Sequence, residues 1–189
     1  MMKLNKTILA VFGLMLIVAS VYRVWDDRPL GFAPQIAIAV FAGAVLKDKR
    51  WAILVPILSM FISDLLLQVL FSFNLSVMPG FYEGQLTNYI LFAGMVVFGF
   101  MIRKINWAKI ASASIAAPTT YFIISNFLVW MGGGGLYRPK TFEGLMMCYN
   151  DALPFYRGSL AATLFFSAVF FCTFFLVKKM HEAKEHKLA

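Results

Sequence analysis

Charge is scarce in this chain. Asp, Glu, Lys and Arg make up 14% of its 189 residues, against about a quarter in an ordinary soluble domain. Histidine and cysteine are scarcer still, at two residues each. His181 and His186 both fall in the polar tail, so no apolar segment has a histidine for metal or haem ligation. Cys148 and Cys172 show no CxxC or other ligand-like spacing. Cys172, in an apolar run, reads as a small buried hydrophobe. Cys148, in a polar connection, reads as a free thiol or a contact to something bound. The soluble-enzyme motifs GxSxG, the P-loop, HExxH and a strand-linked GxGxxG are all missing. The four glycines at 132–135 follow an apolar run with no strand before them, as a hinge would. Asp64 is a single carboxylate in an apolar stretch, without the second acid–base group that hydrolysis needs. Neither enzymatic activity nor a metal or cofactor is expected.

What the chain has in quantity is apolar surface. Apolar residues make up 61% of it, with 20 Phe and 11 Met, and the mean hydropathy is +0.77. A water-soluble core of this length cannot absorb so much, because small domains leave a large share of their surface exposed. Lipid can, and the bilayer is the expected partner. The net charge of +8 is spread in short runs between apolar stretches, the pattern of basic residues flanking membrane spans. It forms no patch for a nucleic-acid backbone.

A span needs about 20 mostly apolar residues at about 1.5 Å of rise each. Residues 7–22, 31–46, 51–71, 86–102, 110–131 and 159–177 meet or approach that requirement. The second is short, which a buried or tilted helix explains. The first, preceded by Lys3 and Lys6, reads as a retained helix, because Val18-Ala19-Ser20 makes a poor cleavage site. The expectation is an all-α integral membrane protein, a six-transmembrane-helix bundle over residues 1–180 with a charged cytoplasmic tail at 181–189. Lysine and arginine fall in alternate connections: Lys3 and Lys6, then 47–50, then Arg103, Lys104 and Lys109, then the tail from Lys178. The intervening connections hold Asp26 and Asp27 beside Arg23 and Arg28, then Glu83, and later Arg138, Lys140, Glu143, Asp151 and Arg157, with lysine nearly absent. This alternation places both ends in the cytoplasm. Of the two larger outer connections, 72–85 and 132–158, the second is expected to carry a short helix near 141–151 that packs over the bundle.

Polar groups within spans are costly and mark sites by default. With this topology, almost all of them fall in the outer half. Gln35 lies beside Pro34, Asn88 and Tyr89 open the fourth span, Asn126 has Ser125 and Tyr121 nearby, and Arg157 precedes the sixth. Asp64 and Gln68, at i and i+4, share a helix face, while Ser63 is expected to point elsewhere. Asp64 either organises a ligand or pairs with Arg23 or Arg157. A pocket open to the outside and sealed toward the cytoplasm follows, rather than a pore polar along its length. Small-residue pairs at i, i+4 (Ala33/Ala37, Ala39/Gly43, Ala113/Ala117) suit close helix contact, within the bundle or with a partner.

The stretch GFAPQIAIAVFAGAVLKDKRWAILVPILSMFISDLLL resembles a family of small bacterial membrane proteins. The shared pattern is Asn/Gly-Phe-x-Pro, then Ala-x-Ala-x-Phe-x-Gly-Ala, a basic turn, and Pro-x-x-x-Met/Leu-x-x-Ser-Asp. It covers Phe32, Pro34, Ala39, Phe41, Gly43, Ala44, Pro56, Ser63 and Asp64, and beyond Asn88 only the general layout is similar. That family is similar to the substrate-binding S components of energy-coupling-factor vitamin transporters. The resemblance implies residence in the bacterial cytoplasmic membrane and capture of a vitamin-like or other small solute near the outer face, with an energising ATPase module as partner. Where S components usually carry Ala-x-x-x-Ala in the first helix, Ala10, Gly13 and Ala19 stand here at other spacings. The expected ligand-binding set is Gln35, Asp64, Gln68, Asn88, Tyr89, Asn126 and Arg157. The 132–158 connection would serve as a lid, with Tyr82, Trp130 and Tyr137 placed to stack on a flat ring. The opposing reading is a membrane scaffold or accessory subunit, whose polar groups would pair with one another.

Overall fold

The computed structural model describes residues 6–25, 27–102, 104–133 and 136–188, with side chains described over 13–180 of that set. Lys3, Asp26, Arg103, Gly134 and Gly135 lie outside the described residues, and the side chains of Lys6, Ala10 and the tail from His181 lie outside those described. The described chain is all-helical, with six helices: α1 (Lys6–Val24), α2 (Gln35–Val45), α3 (Lys49–Ser72), α4 (Gln85–Phe100), α5 (Trp107–Gly132) and α6 (Phe142–Leu188). Lys49–Ser72, Trp107–Gly132 and Phe142–Met180 are long and apolar enough to cross a membrane, which associates the chain with one. The shorter apolar helices are Gly13–Val24, Gln35–Val45 and Gln85–Phe100.

All 11 residues of α2 are buried. At about 1.5 Å per residue the helix spans only roughly 17 Å, yet it contacts α3, α4, α5 and α6 and is the axis of the core. This burial explains its apolar, small-residue sequence: a helix enclosed on all sides is apolar all round, and neighbours approach closely only over small side chains. A Cβ built on Gly43 would lie 2.5 Å from the Val96 carbonyl oxygen, and one on Gly99 would collide with the Val40 carbonyl. The Ala39/Gly43 pair therefore serves packing inside the bundle, where Gly43 faces Gly99 of α4. Phe41 fills the opposite side, with its ring 5.0 Å from that of Phe171 on α6.

The two ends of the bundle differ in chemistry. At one end the connections are short and basic. Asp48 caps α3 by accepting from Arg50 N (2.9 Å), and Asn106 caps α5 by accepting from Lys109 N (2.9 Å). The Trp107 ring lies 5.6 Å from that of Phe175, so Lys178 and Lys179 belong to the same end. The longer connections before α2, α4 and α6 gather at the other, loop end. There Gly158 of α6 packs so closely on the Leu30 carbonyl that no side chain would fit.

One expectation needs correcting. The helix foreseen near 141–151 is not a separate element in a long connection; it continues into the last apolar segment as a single helix of 47 residues. Pro154 and Gly158 look like breakers in the sequence. A proline inside a helix removes one backbone hydrogen bond without necessarily ending it, and α6 runs through Pro154 to the close contact of Gly158 with Leu30.

Candidate functional site: a cavity beside a buried ion-pair network

At the loop end a cavity of about 580 Å³ opens between α2, α4, α5 and α6. Gln35, the first residue of α2, lines it and is 1% exposed. Neither its amide nitrogen nor its amide oxygen has a hydrogen-bond partner among the described residues. Native proteins seldom leave a buried amide in that state, because each unpaired group costs about 1–3 kcal/mol. Two aromatic pairs form the walls. Phe92 of α4 lies 4.7 Å from Tyr121 of α5, with planes 30° apart. Phe122 of α5 lies 4.7 Å from Tyr156 of α6, at 32°. The Tyr156 hydroxyl meets Thr119 Oγ1 at 2.9 Å. Asn126 also lines the cavity, its amide nitrogen donating to the Phe122 carbonyl at 2.8 Å.

The charged residues lining the cavity are Arg138 and Asp151. Arg138 donates twice to the Asp151 carboxylate, Nε at 2.8 Å and Nη2 at 3.1 Å, and both side chains are about one-third exposed. This hydrogen-bonded carboxylate raises the guanidinium pKa of Arg138 above its ordinary value. The fork ties the connection before α6 to α6 itself and leaves the rim without net charge. Cys148 completes part of the wall, its thiol 3.6 Å from the Asn126 carbonyl.

A different arrangement holds α1, α3 and α4 together. Asp64 of α3 is fully buried and forms an ion pair with Arg23 of α1. Its Oδ2 accepts from Gln85 Nε2 at 2.5 Å and from the Tyr89 hydroxyl at 2.6 Å. Arg23 Nη1 also donates to Ser63 Oγ at 2.7 Å. Ser63 therefore joins Asp64 in holding Arg23, contrary to the expectation from their spacing. Gln85 reaches on to the Gly80 carbonyl at 3.1 Å, and Gln68 Oε1 accepts from Gly80 N at 3.1 Å. A Cβ on Gly80 would collide with the Asp64 carbonyl oxygen. These bonds clamp the connection between α3 and α4 against α3. A charge taken out of water is tolerable only when its acceptors are satisfied; both oxygens of the fully buried Asp64 are bonded, while Arg23 keeps 14% of its side chain exposed.

The seven residues expected to share one pocket are therefore divided. Gln35 and Asn126 line the cavity. Asp64, Gln68 and Tyr89 belong to the α1–α3–α4 network, and Arg157 is exposed on α6. Asn88 sits between the two groups: its Oδ1 accepts from the cavity-lining Tyr121 hydroxyl at 3.1 Å and its Nδ2 donates to the Tyr82 hydroxyl at 2.7 Å. Tyr82, Trp130 and Tyr137 do not line the cavity; Tyr137 is 84% exposed, and the Trp130 indole donates to the Pro139 carbonyl at 2.9 Å. Part of the connection expected as a lid does contribute, through Leu136, Arg138 and the first turns of α6. Sequence reasoning missed Gln85, whose i, i+4 spacing to Tyr89 was the available signal. It also missed Phe122, Tyr156 and Asp151.

No curated protein and no solved structure matches this chain. A family model does match, over residues 2–185, and its description is a family of unknown function. With that match covering nearly its whole length, the chain belongs to the DUF6580 family.

Proposed function

We propose that this protein is the solute-binding component of a transporter in the bacterial cytoplasmic membrane, taking a small organic molecule into the cavity at its loop end. In this reading all six helices lie in the bilayer, the short ones enclosed by the long ones, and both chain ends face the cytoplasm. Lys47, Lys49, Arg50, Lys104 and Lys109 support that orientation, since they cluster at the end opposite the cavity. The cavity then faces outward, and the apolar helix core below it separates it from the cytoplasm. An energising ATPase module would be the partner at the basic end, as the resemblance to S components implies.

The observation that carries this reading is Gln35, a buried amide without a protein partner on the wall of a cavity large enough for a small molecule. The scaffold reading has its own support in the Asp64–Arg23 pair, which is how a purely structural polar group is satisfied. It offers no reason for Gln35. The test is to purify the protein in mild detergent, denature it, and identify released small molecules by mass spectrometry. The control is Ser125→Trp, which fills the cavity from the α5 wall. A compound released by wild type and lost from Ser125→Trp supports solute capture. Release of nothing, or of the same compounds from both proteins, overturns it in favour of the scaffold.

A further inference from the structure

We infer that the solute is an uncharged planar molecule presenting an adjacent N–H and C=O, a lactam or similar cis-amide edge, to Gln35; this inference rests on the solute-binding reading. A primary amide offers one donor and one acceptor side by side, and a cis-amide edge is their complement. Both atoms of Gln35 are buried and without protein partners, so a ligand that pairs only one of them leaves the other unsatisfied. Asn126 already gives one of its two amide N–H groups to the Phe122 carbonyl at 2.8 Å, so Gln35, with both donors and its oxygen unused, is the stronger anchor.

Charge selects in the same direction. Arg138 and Asp151 are the charged residues lining the cavity, and each is bonded to the other. An anion would meet Arg138 with its charge already balanced by Asp151, and a cation would meet Asp151 already balanced by Arg138. A neutral ligand leaves the fork intact. Shape is set by the walls. Phe92, Tyr121, Phe122, Phe155 and Tyr156 line the interior, with Phe92–Tyr121 and Phe122–Tyr156 in tilted contact. Flat π-systems are held well by such surfaces.

The probes are isocarbostyril, a flat bicyclic lactam, its N-methyl derivative, and naphthoate as the anion of similar size. Binding is measured by calorimetry on the full-length protein in lipid nanodiscs. Isocarbostyril should bind at least about tenfold more tightly than N-methylisocarbostyril, because methylation leaves the Gln35 oxygen buried and unpaired. Naphthoate should bind weakest. In Gln35→Met the preference for isocarbostyril over its methylated form should disappear, because the thioether side chain pairs with neither the N–H nor the C=O. Equal affinity of the two lactams for wild type, or preference for naphthoate, overturns the inference whether or not the variant folds. Absence of lactam binding overturns it too. If wild type still releases a solute that Ser125→Trp lacks, the lactam class alone has failed and capture stands; if it releases none, both have failed.

Discussion

Asp64 and Gln35 are both buried polar side chains near the loop end of one helix bundle, and their surroundings are opposite. Asp64 meets Arg23, Gln85 and Tyr89, so that the carboxylate is held by donors from α1 and α4. Gln35 meets no partner among the described residues and borders a cavity. The difference separates two uses of buried polarity. A satisfied network fixes the position of helices and loops and offers nothing to a newcomer. An unsatisfied group costs stability and leaves a donor and an acceptor open to a ligand. The charged residue, which draws the eye first in an apolar sequence, is here the structural one, and the neutral amide is the better candidate for recognition.

Substitution at the two positions should therefore give opposite results. Asp64→Ala leaves Arg23, whose side chain is only 14% exposed, without its counter-ion, at a cost of up to about 3–5 kcal/mol. The expected outcome is a large fall in thermal unfolding temperature in detergent, or no folded protein. Removing both charges, as Arg23→Met with Asp64→Leu, should recover much of that loss. If Asp64→Ala unfolds like wild type yet loses its solute, the division between the two regions is wrong. Gln35→Met removes an unpaired amide and should leave stability unchanged or raise it by about 1–3 kcal/mol while weakening solute retention. A loss as large as that of Asp64→Ala would show that Gln35 has a structural partner after all.

The region between the two is tested by Tyr121→Phe. Tyr121 lines the cavity and donates to Asn88, which in turn donates to Tyr82. Deleting the hydroxyl should cost about 1 kcal/mol and leave the Asp64 network untouched. In a double-mutant cycle with Asp64→Asn the two effects should add, since Tyr121 and Asp64 share no hydrogen-bond partner. A coupling above about 0.5 kcal/mol would show the cavity wall and the ion pair acting as one unit.

The helices were legible because apolar runs are long and the connections carry the charge, and the short second helix was readable as buried from its length. The intended partner of Asp64 was open between Arg23 and Arg157, since spacing along a helix does not reveal which neighbouring helix packs against it. The continuity of α6 was hidden behind Pro154 and Gly158, which read as breakers in the sequence; Gly158 instead gives the close approach to the Leu30 carbonyl. The cavity was least legible. Phe122, Tyr156 and Phe155 have the same side-chain character whether they face lipid or a pocket, and only the three-dimensional arrangement distinguishes the two. Gln35 stood out by its polarity, but that it lacks a partner is a property of everything around it.

The smallest expected effect belongs to the Arg138–Asp151 fork. Both side chains are about one-third exposed, so solvent competes for the pair and it contributes little to stability. Asp151→Asn should barely move the unfolding temperature. Its effect belongs instead to selectivity: the change frees the Arg138 guanidinium at the cavity rim, and a wall that was neutral acquires a positive charge. Naphthoate should then gain affinity, more so at low salt than at high salt because exposed charges are screened, while isocarbostyril should be affected little. If the variant loses stability on the scale of Asp64→Ala, the fork belongs with the structural network. If it stays stable and anion binding rises, the two ion pairs differ as Asp64 and Gln35 do, one holding the bundle together and the other setting what the cavity admits.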